Sequence, residues 1–402
     1  MLVGNAIVGQ SGGPTSAINA TLCGVIRACA KNEKIQKLYG MKNGIEGFLK
    51  ETIIDLSYLY DDEKSLQALE TTPAAALGSC RRKLKSKEEL DKIFELFVKY
   101  NIRYFFYIGG NDSMDTVDKL SKYVLENNHE VKIIGIPKTI DNDLPHTDHT
   151  PGYGSAAKYI ATTIKEIATD CEVYTKKAVT IVELMGRDAG WLTASAGLPV
   201  HFGYLGARLI YLPEIPFSNK KFIESVKTEL EKHPSLVIAV SEGVRYPNGH
   251  YVGEGTQSGS TDEFGHKYLA GTARVLEALV RKKIGCKVRS VELNLPQRCS
   301  AHILSATDID ESIKIGSFAV EGAIKGESGK MVSVVRTGNY SIDLEFVDVS
   351  LCANTVKLVP RDFINQEGNN VTKECLEYIA PLIFGQKEIK YENGMPIHVS
   401  LK

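Results

Sequence analysis

The chain has 402 residues, with 48 lysines and arginines against 49 aspartates and glutamates and a formal charge of -1. That length allows two lobes, each with its own core and a cleft between them, while the even charge balance gives no bulk attraction for nucleic acid or a membrane surface. No stretch approaches the roughly 20 apolar residues of a membrane span, and the first nine residues lack the basic flank and long apolar core of a signal peptide, so the expectation is a cytoplasmic protein.

In chain order, five short runs rich in Val, Ile and aromatics read as strands: residues 6–8, 104–108, 131–136, 178–184 and 236–240. Between them Ile18, Leu22, Val25 and Ile26 keep helical spacing, as do Val117, Leu120 and Val124, and then Tyr159, Ile160, Thr163, Ile164 and Ile167. Strand alternating with helix predicts a three-layer α/β fold around a parallel sheet. The eight cysteines show neither a CxxC pair nor zinc-site spacing, which predicts reduced and mostly buried thiols. Residues 246–268 turn to Gly, Ser, Thr, Asn, Asp and His, the composition of a surface loop or lid. The last fifty or so residues read as irregular strands and one short helix, with no chemistry evident.

Polar residues gather where the strands end. The first strand runs into Gly9-Gln10-Ser11-Gly12-Gly13, with a helix from about Ala17. Paired glycines at a strand-to-helix turn let backbone N–H groups face an anion, and the helix start adds partial positive charge. Tight packing alone would also use Gly-Gly, and the sequence is neither a Walker loop nor a dinucleotide fingerprint. The second strand leads to Gly109-Gly110-Asn111-Asp112-Ser113, with the helical pattern resuming at Met114. Here the plainer reading is an N-cap by Asp112 or Ser113. Two such turns at the carboxyl edge of one sheet form a crevice suited to a polyphosphate.

The third strand opens onto Pro137-Lys138-Thr139-Ile140-Asp141-Asn142-Asp143. Asp and Asn are ordinary turn residues, but a lysine, a hydroxyl and two carboxylates at this edge also supply a cation, a base and contacts for Mg²⁺. After the fourth strand comes Met185-Gly186-Arg187, and after the fifth Glu242-Gly243; farther on, Arg289 and Arg298 bracket the segment from Leu293 to Gln297. An arginine behind a buried strand can fork onto a phosphate, although surface pairing is its commoner use.

Together, Ser11-Gly12-Gly13, Leu77-Gly78-Ser79-Cys80-Arg81, Gly109 to Ser113, Thr139 to Asp143, Met185-Gly186-Arg187, Glu242 and Gln297-Arg298 resemble, in that order, the phosphofructokinase family across roughly the first 340 residues. The resemblance implies two Rossmann-like three-layer α/β/α lobes with mainly parallel sheets. Residues 1–152 plus about 297–347 would form the phosphoryl-donor lobe, and 153–296 plus about 348–402 the sugar-phosphate lobe. It further implies that Asp141 takes the proton of the sugar's 1-hydroxyl, with Thr139 placing that hydroxyl. Ile140, Met185, Gly186, Arg187, Glu242 and Arg298 would line the sugar-phosphate site, with Arg289 reaching across from a neighbouring subunit of a homodimer or homotetramer. Gly12, Gly13, Arg81, Gly110, Asn111, Asp112 and Ser113 would hold the donor, and Asn111 and Asp143 would contact Mg²⁺.

ATP-using members of that family typically carry Gly where this chain has Asp112 and Lys138. The Asp112 carboxylate would fill and repel the place of a nucleotide's α-phosphate, and Lys138 would stabilise charge developing on a smaller donor. Both positions resemble the diphosphate-dependent branch, which implies reversible transfer from diphosphate to fructose 6-phosphate in glycolysis and gluconeogenesis. Two positions depart from the family: Asn111 replaces a more usual acidic residue linked to Mg²⁺, and Leu295 stands where many ATP-using members have a histidine touching the sugar phosphate. The rival classes are an ATP-dependent phosphofructokinase, a non-catalytic regulatory subunit of the same fold, which would lack the base or the lysine, and a dinucleotide oxidoreductase, which the missing fingerprint opposes.

Overall fold

The computed structural model describes residues 2–173, 175–254 and 271–401. Its main strands are β1 (Gly4–Gln10), β2 (Ile35–Met41), β3 (Ile53–Asp55), β4 (Ile102–Gly109), β5 (Lys132–Pro137), β6 (Ala178–Leu184), β7 (Leu209–Tyr211), β8 (Ser235–Ser241), β9 (Lys287–Glu292), β10 (Lys330–Thr337) and β11 (Ser341–Asp348). Seven form one sheet in the order β11-β10-β5-β4-β1-β2-β3, and four form a second in the order β7-β8-β6-β9. The second sheet is parallel throughout, whereas the first carries antiparallel strands at both edges, β3 against β2 and β11 against β10.

Alternation along the central strands explains the layering. In β4, Tyr104, Phe106 and Ile108 point into one apolar cluster, and Ile102, Phe105 and Tyr107 into another on the opposite face. β8 divides likewise, with Val237 and Ala239 on one side and Leu236, Ile238 and Val240 on the other. A strand buried on both faces has to be apolar throughout, and that is why these strands stand out in the sequence. The shorter or partly exposed strands β2, β3, β7, β9 and β11 carry no such run and escape sequence reading, as does β10, whose buried apolar stretch is interrupted by Ser333.

Helices cover both faces of each sheet. The Ile18–Ala30 helix and the Ala306–Lys325 helix lie together on the first sheet, far apart in sequence but close in space. Glycines set their spacing: a Cβ on Gly24 would stand 2.1 Å from Ile313 O, and one on Gly316 2.1 Å from Thr21 O. Any side chain there would force the backbones apart. The Asn111–Glu126 helix begins three residues before the expected Met114, and its N-cap is Gly110 with no side-chain cap. Asp112 and Ser113 therefore lie inside the first turn and do not cap it.

All eight cysteines are free, five of them buried. Among the described residues no helix is long and apolar enough to cross a membrane. Of the expected loop at 246–268, residues 255–268 lie outside the described residues.

Candidate active site

Parallel strands end at a common level, so the loops that follow emerge side by side. Gln10 stands beside Ile108, Gly109 beside Pro137, and, in the second sheet, Leu184 beside Ser241. In the first sheet the order reverses at β1, whose neighbours are β4 and β2, and such a point opens a crevice at the carboxyl edge.

Gly12 lies in that crevice with φ of +76°, a conformation that favours glycine. Its N–H donates to Cys80 O at 3.0 Å, and its carbonyl accepts the Ser79 hydroxyl at 2.6 Å, so the turn is tied to the segment that carries Arg81. Lys138, directly after β5, is buried and its Nζ donates to Gly13 O at 2.6 Å. A Cβ on Gly12 would be 3.4 Å from Lys138 Nζ, and one on Gly13 would be 3.5 Å from Arg298 Nη1 and 3.7 Å from Arg81 Nη2. Three cations thus converge on two glycines from three distant parts of the chain. Burial, and then the neighbouring Arg81, bring the Lys138 ammonium down to about 8. An arriving polyanion offsets both by its direct attraction for the ammonium.

Across this cradle sits the first turn of the Asn111–Glu126 helix, in which the Ser113 and Met114 N–H groups already donate to Gly110 O at 2.9 and 3.0 Å, so the N–H groups ahead of them, at Asn111 and Asp112, are the ones this helix start offers an anion. Ser113 is buried, with its hydroxyl beside Gly109, so its backbone and not its side chain belongs to the turn. Asp112 Oδ1 pairs with Lys83 Nζ at 2.8 Å, a partner that sequence reading did not single out.

The loop after β5 presents the two carboxylates. The Asp141 N–H donates to Thr139 Oγ1 at 3.1 Å, and the Thr150 hydroxyl donates to Thr139 O at 2.8 Å. Ile140 turns away into the apolar cluster of the second lobe and anchors the loop there. Asn142, between the carboxylates, has φ of +52°, a region that asparagine tolerates better than other side chains. Burial first, and then the Asp143 charge, raises the Asp141 carboxyl well above the ordinary range, with Arg187 and Lys138 opposing. Asp143 is raised by burial as well.

Asn111 Nδ2 donates to Asp143 Oδ2 at 3.1 Å, while Asn111 Oδ1 is buried with no hydrogen-bond partner. An orphaned carbonyl oxygen beside a buried carboxylate is a donor set that suits a hard divalent cation. Among the described residues there is no group of three or more His, Cys, Asp or Glu able to hold a metal, and Asp143 and Asn111 are the side chains whose chemistry fits one at this corner.

The second lobe closes the site from the other side. The Met185 N–H donates to Gln297 Oε1 at 3.2 Å and the Gly186 N–H to Glu242 Oε1 at 3.4 Å, while Gly186 O accepts the Ser241 hydroxyl at 2.6 Å. Arg187 Nε pairs with Asp188 at 3.2 Å. Burial, then Asp141 and Glu183, raise Glu242 to about 8. Arg298 follows Gln297 on the same short helix and so connects this wall to the Gly12-Gly13 cradle. Leu295 is exposed. Arg289 is not brought here. It lies exposed on β9, beside a cavity of about 640 Å³ that it lines with Ala178, Thr180 and Lys287 at the opposite end of β6.

The largest surprise comes from the tail, where no chemistry was expected. The Lys357 N–H donates to Asp143 O at 2.7 Å, and its carbonyl accepts Trp191 Nε1 at 3.0 Å. Its ammonium reaches Asn142 Oδ1 at 3.3 Å, Thr147 O at 3.1 Å and Asp148 O at 2.7 Å, and burial lowers it to about 8 against the pull of Asp148 and Asp143. Tyr378 joins it, accepting from Asn142 Nδ2 at 3.0 Å and donating to Asp148 O at 2.6 Å. A lone lysine in an irregular segment gives no local signal of such a role. Lys83 did leave one, since it follows Arg81 at the alternate spacing of an extended strand-like segment.

Residues 5–322 match the family model described as Phosphofructokinase. The chain is 40% identical to the pyrophosphate–fructose 6-phosphate 1-phosphotransferase of Halomonas elongata over 98% of this chain and 94% of that protein, and 38% identical to the protein of that name from Methylococcus capsulatus over 100% and 96%. Its fold superposes on the crystal structure of the pyrophosphate-dependent phosphofructokinase from Nitrosospira multiformis with a TM-score of 0.91 at 37% identity, covering 100% of this chain and 97% of that one. Both glycine turns, the loop from Thr139 to Asp143, the Met185-Gly186-Arg187 segment and Arg298 all fall within the matched span, and the chain belongs to the phosphofructokinase family.

Proposed function

We propose that this protein transfers a phosphoryl group from diphosphate to the 1-hydroxyl of fructose 6-phosphate, giving fructose 1,6-bisphosphate and phosphate in a reversible step. The observation that carries the reading is the placement of Asp141 between a wall of cations at Gly12-Gly13 and the sugar-side loop at Met185 to Arg187. The names of the near-full-length relatives support the same reaction.

In this reading the diphosphate lies on the Gly12-Gly13 and Gly110 turns, within reach of Lys138, Arg81 and Arg298. The sugar phosphate lies against Met185, Gly186, Arg187, Glu242 and Arg298, the last of which also reaches the Gly13 side of the donor site. Asp141 accepts the proton of the 1-hydroxyl as its oxygen forms the new bond to phosphorus, and the bridging P–O bond of diphosphate breaks. Lys138 steadies charge gathering on the departing phosphate. Glu242 is held near neutrality by burial, so it can donate to a sugar oxygen without repelling the phosphates. Asp143 and Asn111 would hold Mg²⁺, which supplies charge neutralisation on the donor oxygens when bound. Most of the rate enhancement comes from positioning and fixed charge.

Donor choice in this reading rests on Asp112 and Lys138. A steady-state assay of the purified protein with fructose 6-phosphate decides it: fast turnover with Mg²⁺ and diphosphate, and little with ATP, is expected, and the reverse pattern overturns the donor assignment. The same reading places the protein in the cytoplasm as a homo-oligomer, in which Arg289 of one copy would serve the sugar site of its neighbour.

A further inference from the structure

The segment from Cys80 to Ser86 runs along the donor side without regular secondary structure, yet it is fixed at both ends. Cys80 O accepts the Gly12 N–H at 3.0 Å, Leu84 is buried, and Leu84 O accepts Lys119 Nζ from the Asn111–Glu126 helix at 3.0 Å. Its side chains alternate as an extended chain requires. Arg81 faces the Gly13 cradle, Arg82 turns outward to Glu89 at 2.5 Å, and Lys83 returns to the donor side to meet Asp112 at 2.8 Å.

That pairing resolves a conflict within the donor site. A carboxylate in the first turn of a helix cancels much of the attraction that the helix start offers an anion. The charge that would turn away a nucleotide would equally turn away diphosphate, which is more highly charged for its size. With its ammonium on Asp112 Oδ1, Lys83 neutralises the charge and leaves the bulk. Side-chain exposure of 33% for Lys83 and 19% for Asp112 keeps the pair at the rim, where the local dielectric still lets such a charge be felt.

We infer that Lys83 is a specificity-determining residue for the phosphoryl donor: paired with Asp112, it lets diphosphate approach a helix start that the carboxylate alone would close, while the bulk of Asp112 continues to exclude a nucleotide. This rests on the diphosphate-dependent reading above. The residue acts through Asp112 and is a positioning residue, with no proton or bond of its own in the transfer.

A charge cycle tests it. K83M is expected to raise the KM for diphosphate roughly tenfold while the KM for fructose 6-phosphate stays within about twofold, and K83R restores the donor KM. In a D112N background, which keeps the bulk and removes the charge, K83M shifts the donor KM by less than about twofold. An equal shift in both backgrounds would mean that Lys83 holds the donor directly, and no shift in either would mean that it does nothing; each overturns the inference. D112N alone gives a check that does not depend on how well K83M folds: it leaves the donor KM level or lower, and a rise refutes the pairing. Wild-type protein that fails to use diphosphate overturns the functional reading and this inference with it, whereas wild-type use of diphosphate with an unmoved K83M overturns the inference alone.

Discussion

On the wall of the cleft formed by β1, β4 and β5, three cations gather at a pair of glycines, whereas on the wall formed by β6 and β8 the buried ionisable groups are carboxylates, with Arg187 at their edge. Burial drives the lysine of the first wall and the carboxylates of the second toward neutrality, lowering Lys138 to about 8 and raising Glu242 to about 8 and Glu183 to about 7. The two walls differ in what relieves them. In the proposed reading a polyphosphate on the first would restore full charge to the lysine, while a sugar phosphate on the second would take hydrogen bonds from groups that do not repel it. Asp141 stands where the walls meet and takes its raised affinity for a proton from burial and from Asp143.

The comparison breaks most decisively at that meeting point. D141A is expected to lower kcat about 1,000-fold with both KM values within a few-fold, and near-normal turnover in a steady-state assay would remove Asp141 as the base. On the cationic wall, K138M should lower kcat about 100-fold and raise the donor KM. A loss confined to the KM for fructose 6-phosphate would place that lysine on the wrong wall.

A smaller effect is expected behind the loop. K357M should lower kcat about tenfold, by loosening Asn142 between the two carboxylates, with partial recovery in K357R. Full activity in K357M would show that the tail only covers the site. The mildest handle is pH. Asp141 must be ionised to act, and its affinity for protons is raised, so kcat/KM for fructose 6-phosphate falls with acidity at a higher pH than an ordinary carboxylate would set. Lys138 must be protonated, so kcat/KM for diphosphate falls as pH rises past about 8. A profile flat from pH 5 to 9, a window set by the ordinary values for the two groups, would remove the contrast between the walls.

Much of this was legible in the sequence because the central strands are buried on both faces and so announce themselves as apolar runs. The polar turns that follow them then fall together at one sheet edge, as at Gly12-Gly13 and Lys138 to Asp143. What stayed hidden shares a physical cause. β10, half exposed at its outer end, and Lys357, in a tail without periodicity, reach their places through long-range packing that no local window contains. Arg289 differs again: the resemblance places it at the site of a neighbouring subunit, and in the single chain it lies on the exposed side of β9, away from its own chain's site.

The peptide unit of residue 357 has a mechanical consequence. Its N–H is held by the loop of one lobe and its carbonyl by Trp191 of the other, so one residue works as a rivet across the cleft. The lobes cannot swing apart there without breaking one of those two hydrogen bonds. Exchange of a single amide proton with solvent would then count such openings.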